Sequence, residues 1–232
     1  MRELNDLQKE FIEHIARTGS LKFGKFILVD GRKTPYYFNL AEAMSDGQGV
    51  HIIANIYTRA IKKIVGCHNF DYIFGPAYKG ISLASLIAYK LWTLYGENKR
   101  WGYDRKEIKE HGDKKDGEII VGDIRNGDEI IIVNDTIAEG GTKVGAYKKL
   151  QKEIEKKGIE VFLVGIFVGI NREELSRENQ KILKENNIQV FHLVTIRQAI
   201  SYLYKREINS HLYIGEKEYS SFWEYFEQYG RT

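Results

Sequence analysis

The stretch Glu129-Ile130-Ile131-Ile132-Val133-Asn134-Asp135-Thr136-Ile137-Ala138-Glu139-Gly140-Gly141-Thr142 decides the fold. Ile130 to Val133 form an unbroken apolar run, which reads as a strand buried on both faces. Polar residues and two glycines follow, and helical spacing resumes over 141–157. Strand, loop and helix in that order make the repeating unit of a parallel sheet, in which ligands bind at the loops leaving the strand ends. Successive N–H groups at a helix start attract phosphate oxygens, and glycines let the backbone approach them. Asp135 opens the loop, where a carboxylate can accept hydrogen bonds from two sugar hydroxyls. The pattern alone also allows a plain capped turn with flexible glycines. The Gly-Lys-Ser/Thr ending of a triphosphate loop is absent, which disfavours nucleoside triphosphates.

The same alternation extends outward. Leu4, Leu7, Phe11, Ile12 and Ile15 recur at helical spacing, and Gly19 stops that helix. Phe26-Ile27-Leu28-Val29 reads as a short strand ending in the turn Asp30-Gly31. Residues 47–65 read as a helix, Tyr72-Ile73-Phe74 as a strand and 80–95 as a helix. Beyond the central stretch, Val161 to Val168 and Val190 to Val194 read as strands, with helices over 172–186 and 196–205. Trp223, Tyr225 and Phe226 suit a packed terminal helix. The order predicts the α/β class: a central, mostly parallel sheet flanked by helices. It directs attention to loops 75–80, 134–142 and 169–172.

Composition sets the outer limits. A chain of 232 residues fits one large domain, or one domain with a small added lobe. Hydrophobic content of 43% and charged content of 29% are ordinary for a globular protein. The net charge of +3 comes from Lys and Arg interleaved with acids, not from a basic stripe, so no nucleic acid is expected as a partner. A single cysteine, Cys67, argues for a reducing compartment. The charged start Met1 to Asp6 predicts no signal peptide. The longest apolar stretch, Val161 to Ile170, is too short to span a bilayer, so no membrane association and a cytoplasmic location are expected.

Tyr103-Asp104-Arg105-Lys106-Glu107-Ile108-Lys109-Glu110-His111-Gly112-Asp113 is mostly charged. As a bare pattern it is a solvated surface loop or a mobile lid. In a lid, Arg105, Lys106 and Lys109 would neutralise a pyrophosphate leaving group. His111, with an ordinary pKa of about 6.5, would share in charge stabilisation or proton transfer.

The run Arg-Lys-Glu-x-Lys-x-His-Gly, met at every defined position by Arg105 to Gly112, resembles the catalytic-loop signature of orotate phosphoribosyltransferases. The resemblance implies a homodimer in which this loop closes over the neighbouring subunit's site, with Lys109 as the catalytic lysine. Residues 130–142 resemble the family's phosphoribosyl pyrophosphate motif, with departures at Asn134, Ala138 and Glu139. By that likeness Asn134, Asp135, Thr136, Ile137, Ala138, Glu139, Gly140, Gly141 and Thr142 bind the sugar phosphate. Gly75-Pro76-Ala77-Tyr78-Lys79-Gly80 is similar to a family turn that sets Tyr78 and Lys79 at the pyrophosphate.

Leu21 to Phe26 and Gly31 to Asn39 look like the family's N-terminal lobe, where Tyr37 and Phe38, together with Ala138, line the orotate pocket. Val29 stands where the family typically has a lysine that reaches the phosphoribosyl group. Lys25, on the same strand with the same side-chain parity, is the candidate substitute contact. Asn171-Arg172 resembles an Asp-Arg pair whose arginine holds the orotate carboxylate, a grip suited to a guanidinium.

What the resemblance implies is the type I phosphoribosyltransferase fold with a small hood lobe. Residues of about 1–45 and the C-terminal segment would cover the base site of a single domain, 1–232. The implied reaction moves ribose 5-phosphate from phosphoribosyl pyrophosphate to orotate, in pyrimidine biosynthesis. Mg2+ would be held mainly through the substrate, with no direct protein ligands. Asp135 would hold the ribose. Two rivals remain at this stage: a transferase for a purine or uracil, and a non-catalytic sensor on the same fold.

Overall fold

The computed structural model describes residues 3–28, 31–106 and 119–231. Helix α1 (Asp6–Arg17) starts where Asn5 and Gln8 form a reciprocal capping box. Strands β1 (Leu21–Ile27) and β2 (Lys33–Phe38) form an antiparallel hairpin with a register shift between Phe23 and Phe26. Helix α2 (Gly47–Ile64) leads to β3 (Tyr72–Gly75), α3 (Lys79–Tyr95), β4 (Arg100–Asp104) and β5 (Ile120–Val121). Then come β6 (Glu129–Ile137), α4 (Gly141–Lys157), β7 (Phe162–Asn171), α5 (Arg177–Glu185), β8 (Gln189–Thr195) and α6 (Ile196–Leu203). A two-residue hairpin, β9 (Glu207–Ile208) and β10 (His211–Leu212), precedes α7 (Glu216–Tyr229).

The main sheet has six strands in the order β5-β4-β3-β6-β7-β8, all parallel except β5. The sequence expectation of a mostly parallel sheet flanked by helices holds. Its apolar runs exist because both faces are covered. On β6, Ile131 and Val133 join the core formed with α1, α2, α3, α6 and α7. Their neighbours Ile130 and Ile132 face α4 and α5, with Val144, Leu150 and Leu183. Each such fully buried side chain contributes about 1.5–3 kcal/mol.

Three local readings change. The first strand begins at Leu21, earlier than expected, because it pairs with residues 33–38 across the hairpin. Strand β4 had no expectation, since its sequence Arg-Trp-Gly-Tyr-Asp lacks an apolar run. The helix expected over 172–186 starts only at Arg177. Ser176 caps it through the Asn179 N–H, while the Arg172 N–H bonds Ile137 O and extends the β6–β7 pairing. The terminal aromatics do pack: Tyr36 of β2 meets Phe222 and Tyr225 of α7 edge to face, at 5.7 and 6.0 Å. No helix among the described residues is long and apolar enough to cross a membrane.

Candidate active site

The C-terminal edges of β3, β6 and β7 gather most of the described candidates. On β6, Asp135 is buried and its carboxylate accepts from Lys79 Nζ at 2.9 Å. Lys79 is the first residue of α3, so the pair ties the ends of two adjacent parallel strands. Asn134 Oδ1 accepts the Asp135 N–H, and Asp135 Oδ1 accepts the Thr136 N–H, both at 2.8 Å. Buried Tyr57 reaches the carbonyls of Asn134 and Asp135 from α2. Burial raises its phenol pKa, and the Asp135 charge raises it further, so it stays neutral there.

Beyond Asp135, β6 continues to Ile137 through its pairing with β7, so the loop expected over 134–142 shortens to residues 138–140 before α4 begins. Thr136 Oγ1 donates to Ile170 O at 2.9 Å, and Ile137 is fully buried, so both side chains brace β6 against its neighbours. Ala138 is half-buried. Gly140 has φ +90°, a left-handed conformation that favours glycine, and an added Cβ would press on Leu175 and Asn179 at 3.3 Å. It caps α4 without a side-chain bond. The first-turn N–H groups of Gly141 and Thr142 therefore have no intrahelical acceptor, which suits a phosphate. Glu139, a potential repulsive charge, forms an ion pair with Arg32 at 3.2 Å.

The Gly75–Gly80 turn is held by a residue without a predicted role. Asp104, at the end of β4, accepts the Ala77 N–H and pairs with Lys149, both at 2.7 Å. The Ala77–Tyr78 peptide is cis. Tyr78 is exposed, with Lys106 Nζ 4.3 Å above its ring. Arg105 donates its N–H to Ile119 O at 2.7 Å. Lys109 and His111 lie outside the described residues, as does Val29.

At the end of β7, Arg172 is buried rather than open. Its Nε donates to Tyr36 Oη at 2.8 Å and lies 3.1 Å from Glu174 Oε1. Its guanidinium sits 4.5 Å over the Tyr36 ring. Nη2 is 3.0 Å from Glu174 but lacks an aligned hydrogen bond, which leaves a buried donor unsatisfied. Burial disfavours the Arg172 charge, but Tyr36 and Glu174 outweigh it and raise the pKa. Glu174 also accepts from Tyr36 Oη at 2.7 Å, Tyr225 Oη at 3.0 Å and Arg32 at 3.3 Å. Burial pushes the Tyr225 phenol up to about 12, and Glu174 adds to that.

Sequence reading assigns no binding or catalytic role to Tyr36, Glu174, Tyr225 or Arg32. Their contacts join residues far apart in sequence, so local pattern gave no signal for them. Tyr37 and Phe38 alternate on β2: Phe38 is core, while Tyr37 is exposed with its ring 5.5 Å from Phe26. Exposed Lys25 lines a groove of about 1200 Å3 with Arg32, Lys33 and Tyr225. The register shift between Phe23 and Phe26 breaks the alternation on which its parity with Val29 rested.

No protein-family model matches the chain. Named relatives do match along nearly the whole of this chain. The chain is 34% identical over 231 residues to an orotate phosphoribosyltransferase of Clostridium acetobutylicum, covering 98% of this chain and 99% of that one. It is 32% identical over 234 residues to one of Agathobacter rectalis, covering 98% and 99%. The crystal structure of an orotate phosphoribosyltransferase from Francisella tularensis superposes with a TM-score of 0.72 at 26% identity, covering 95% of this chain and 98% of that one. With its parallel sheet, its Lys79–Asp135 pair and its glycine-capped helix start, this chain belongs to the orotate phosphoribosyltransferase family.

Proposed function

We propose that this chain transfers ribose 5-phosphate from phosphoribosyl pyrophosphate to orotate, giving orotidine 5′-monophosphate and pyrophosphate in pyrimidine biosynthesis. The observation that carries the reading is the Lys79–Asp135 pair, set beside a helix start that has no side-chain cap, at the end of parallel strands. Sugar hydroxyls displacing Lys79 from Asp135 would free that cation for the pyrophosphate. Tyr78, Arg105, Lys106, Lys109 and His111 complete the pyrophosphate end, and residues 134–142 take the ribose and its 5-phosphate. Arg172 binds the orotate carboxylate through its unsatisfied Nη2, with Ala138 and the exposed Tyr37 as the further orotate contacts, whereas Phe38, on the opposite face of β2, belongs to the core and not to the pocket. Lys25, in the groove beside Arg32, is the candidate further contact.

Positive charge grows on the ribose and negative charge on the leaving group, so pre-placed cations and a fixed carboxylate lower the barrier without reorganising. Loop 103–113 closes over the site and excludes water, which otherwise hydrolyses the activated sugar. Among the described residues no cluster of three or more His, Cys, Asp or Glu is poised to ligate a metal. Asp135, with Asn134 beside it, suits Mg2+ held chiefly by substrate oxygens. When bound, that ion supplies part of the charge neutralisation on pyrophosphate.

The hairpin of β1 and β2, packed on α7, serves as the hood over the base. Tyr89 and Trp92, exposed on α3, support a homodimer that shares the lid across its interface. The setting is cytoplasmic. Mixing the protein with orotate, phosphoribosyl pyrophosphate and magnesium should consume orotate absorbance. No loss with orotate, but product with another base, overturns the assignment.

A further inference from the structure

We propose that Lys143 is a pyrophosphate-binding residue, a cation stored in the first turn of α4 for the substrate's pyrophosphate beside Lys79. The inference rests on the phosphoribosyl pyrophosphate reading above.

Three lysines border this end of the sheet. Lys79 is neutralised by Asp135 and Lys149 by Asp104. Its backbone N–H donates to Gly140 O, but the Lys143 side chain makes no hydrogen bond or ion pair with any described residue. It is nevertheless only 9% exposed. A lysine this nearly buried and without an ion pair of its own is costly to keep, and an incoming anion at its ammonium would offset that cost. Its surroundings place it at the candidate site. Burial pushes its pKa below the usual lysine range, Asp135 opposes that shift, and Lys79 adds to it. Both of those residues belong to the site.

The missing counter-charge has a traceable cause. Asn134 shares strand parity with Ile130 and Ile132, which face α4. Its amide oxygen accepts the Asp135 N–H, a role an acid would also fill, but it carries no charge. An aspartate at 134 would offer Lys143 an internal partner. With asparagine there, the partner must arrive from outside. Pyrophosphate is the substrate group with the most negative charge. Lys79, whose charge is felt at Lys143, lies within the Gly75–Gly80 turn at the start of α3, and this points to the pyrophosphate end rather than the 5-phosphate end.

The test is calorimetric titration of inorganic pyrophosphate, and separately ribose 5-phosphate, into the full chain with EDTA present. For Lys143→Met the pyrophosphate Kd should rise more than fivefold, with the ribose 5-phosphate Kd changed less than twofold. Melting temperature should hold or rise, because an unpaired buried charge is replaced by an apolar chain of similar length. A smaller rise, a loss confined to ribose 5-phosphate, or no measurable pyrophosphate binding by the unsubstituted chain overturns the inference. If Lys143→Met does not fold, Asn134→Asp decides. It keeps the lysine and supplies the internal partner, so pyrophosphate should bind at least threefold more weakly, and a lesser change overturns the inference. Orotate consumption is read in parallel. No turnover with Lys143-dependent binding intact would remove the transferase reading alone. Turnover with affinity independent of Lys143 would remove this inference alone.

Discussion

The ends of β6 and β7 lie side by side and treat charge in opposite ways. At the end of β6, Asp135 forms one ion pair among the described residues, with Lys79, whose side chain is 43% exposed, and the helix start beyond it has no side-chain cap. At the end of β7, Arg172 and Glu174 are buried and cross-linked by Tyr36, Tyr225 and Arg32. The first edge is loosely paired, and in the proposed reaction it would exchange its partners for sugar hydroxyls and phosphates. The second is wired in place and presents a pre-oriented guanidinium. A highly charged, flexible substrate needs a surface that yields. A flat base with one carboxylate needs a donor that does not move, because orientation lost there costs specificity.

Four measurements would break or sharpen this contrast. The largest effect should be on the yielding side: Lys109→Ala is expected to cut turnover about 100-fold or more, with little change in orotate binding. Turnover within about threefold of wild type would sink the role given to Lys109. On the rigid side, Arg172→Lys keeps the charge but loses the planar fork, so KM for orotate should rise about tenfold or more. An unchanged KM would mean the buried guanidinium serves the fold and not the base. Glu174→Gln leaves Arg172 and Arg32 without their shared carboxylate and should destabilise the chain by about 3 kcal/mol. Melting temperature would then drop by about 6–12 °C. A shift under 2 °C, on the order of half a kcal/mol, would show that the network is not structural.

The smallest effect concerns pH. Burial, with the Glu174 charge beside it, pushes the Tyr225 phenol up to about 12 in the folded chain, against 10.0 for a free phenol. Between those values the unfolded chain has lost the proton and the folded chain has kept it. This contribution to stability is therefore full below about pH 10 and is lost as pH rises toward 12. Melting curves of Tyr225→Phe should decline less steeply than wild type across that window. Identical slopes would argue against a buried Tyr225–Glu174 contact.

Several elements were legible because their cause is local. Ile130 to Val133 read as a strand because a sheet covered on both faces needs an unbroken apolar run. The start of α4 read correctly because Gly140 and Gly141 interrupt one period before another begins. Segments whose structure depends on distant partners were not legible. Strand β4 exists because β3 and β5 flank it, and β1 begins early because β2 lies opposite. Helix α5 starts late because the Ser176 N–H donates to Glu139 O, and that acceptor lies in another loop.

The candidate site divides along the same line. Sequence by itself set Asp135 and the glycine pair at a strand end through spacing and chemistry, and singled out Lys79, Arg172 and the segment Arg105 to Gly112 through their likeness to the family's motifs. Tertiary structure decided what each side chain is free to do. It tied Lys79 to Asp135, turned Glu139 onto Arg32, sank Arg172 into a network with Tyr36 and Glu174, and left Lys143 buried without a partner. Charge pairing depends on distances of a few ångströms between residues dozens of positions apart, and only the packed fold sets those distances.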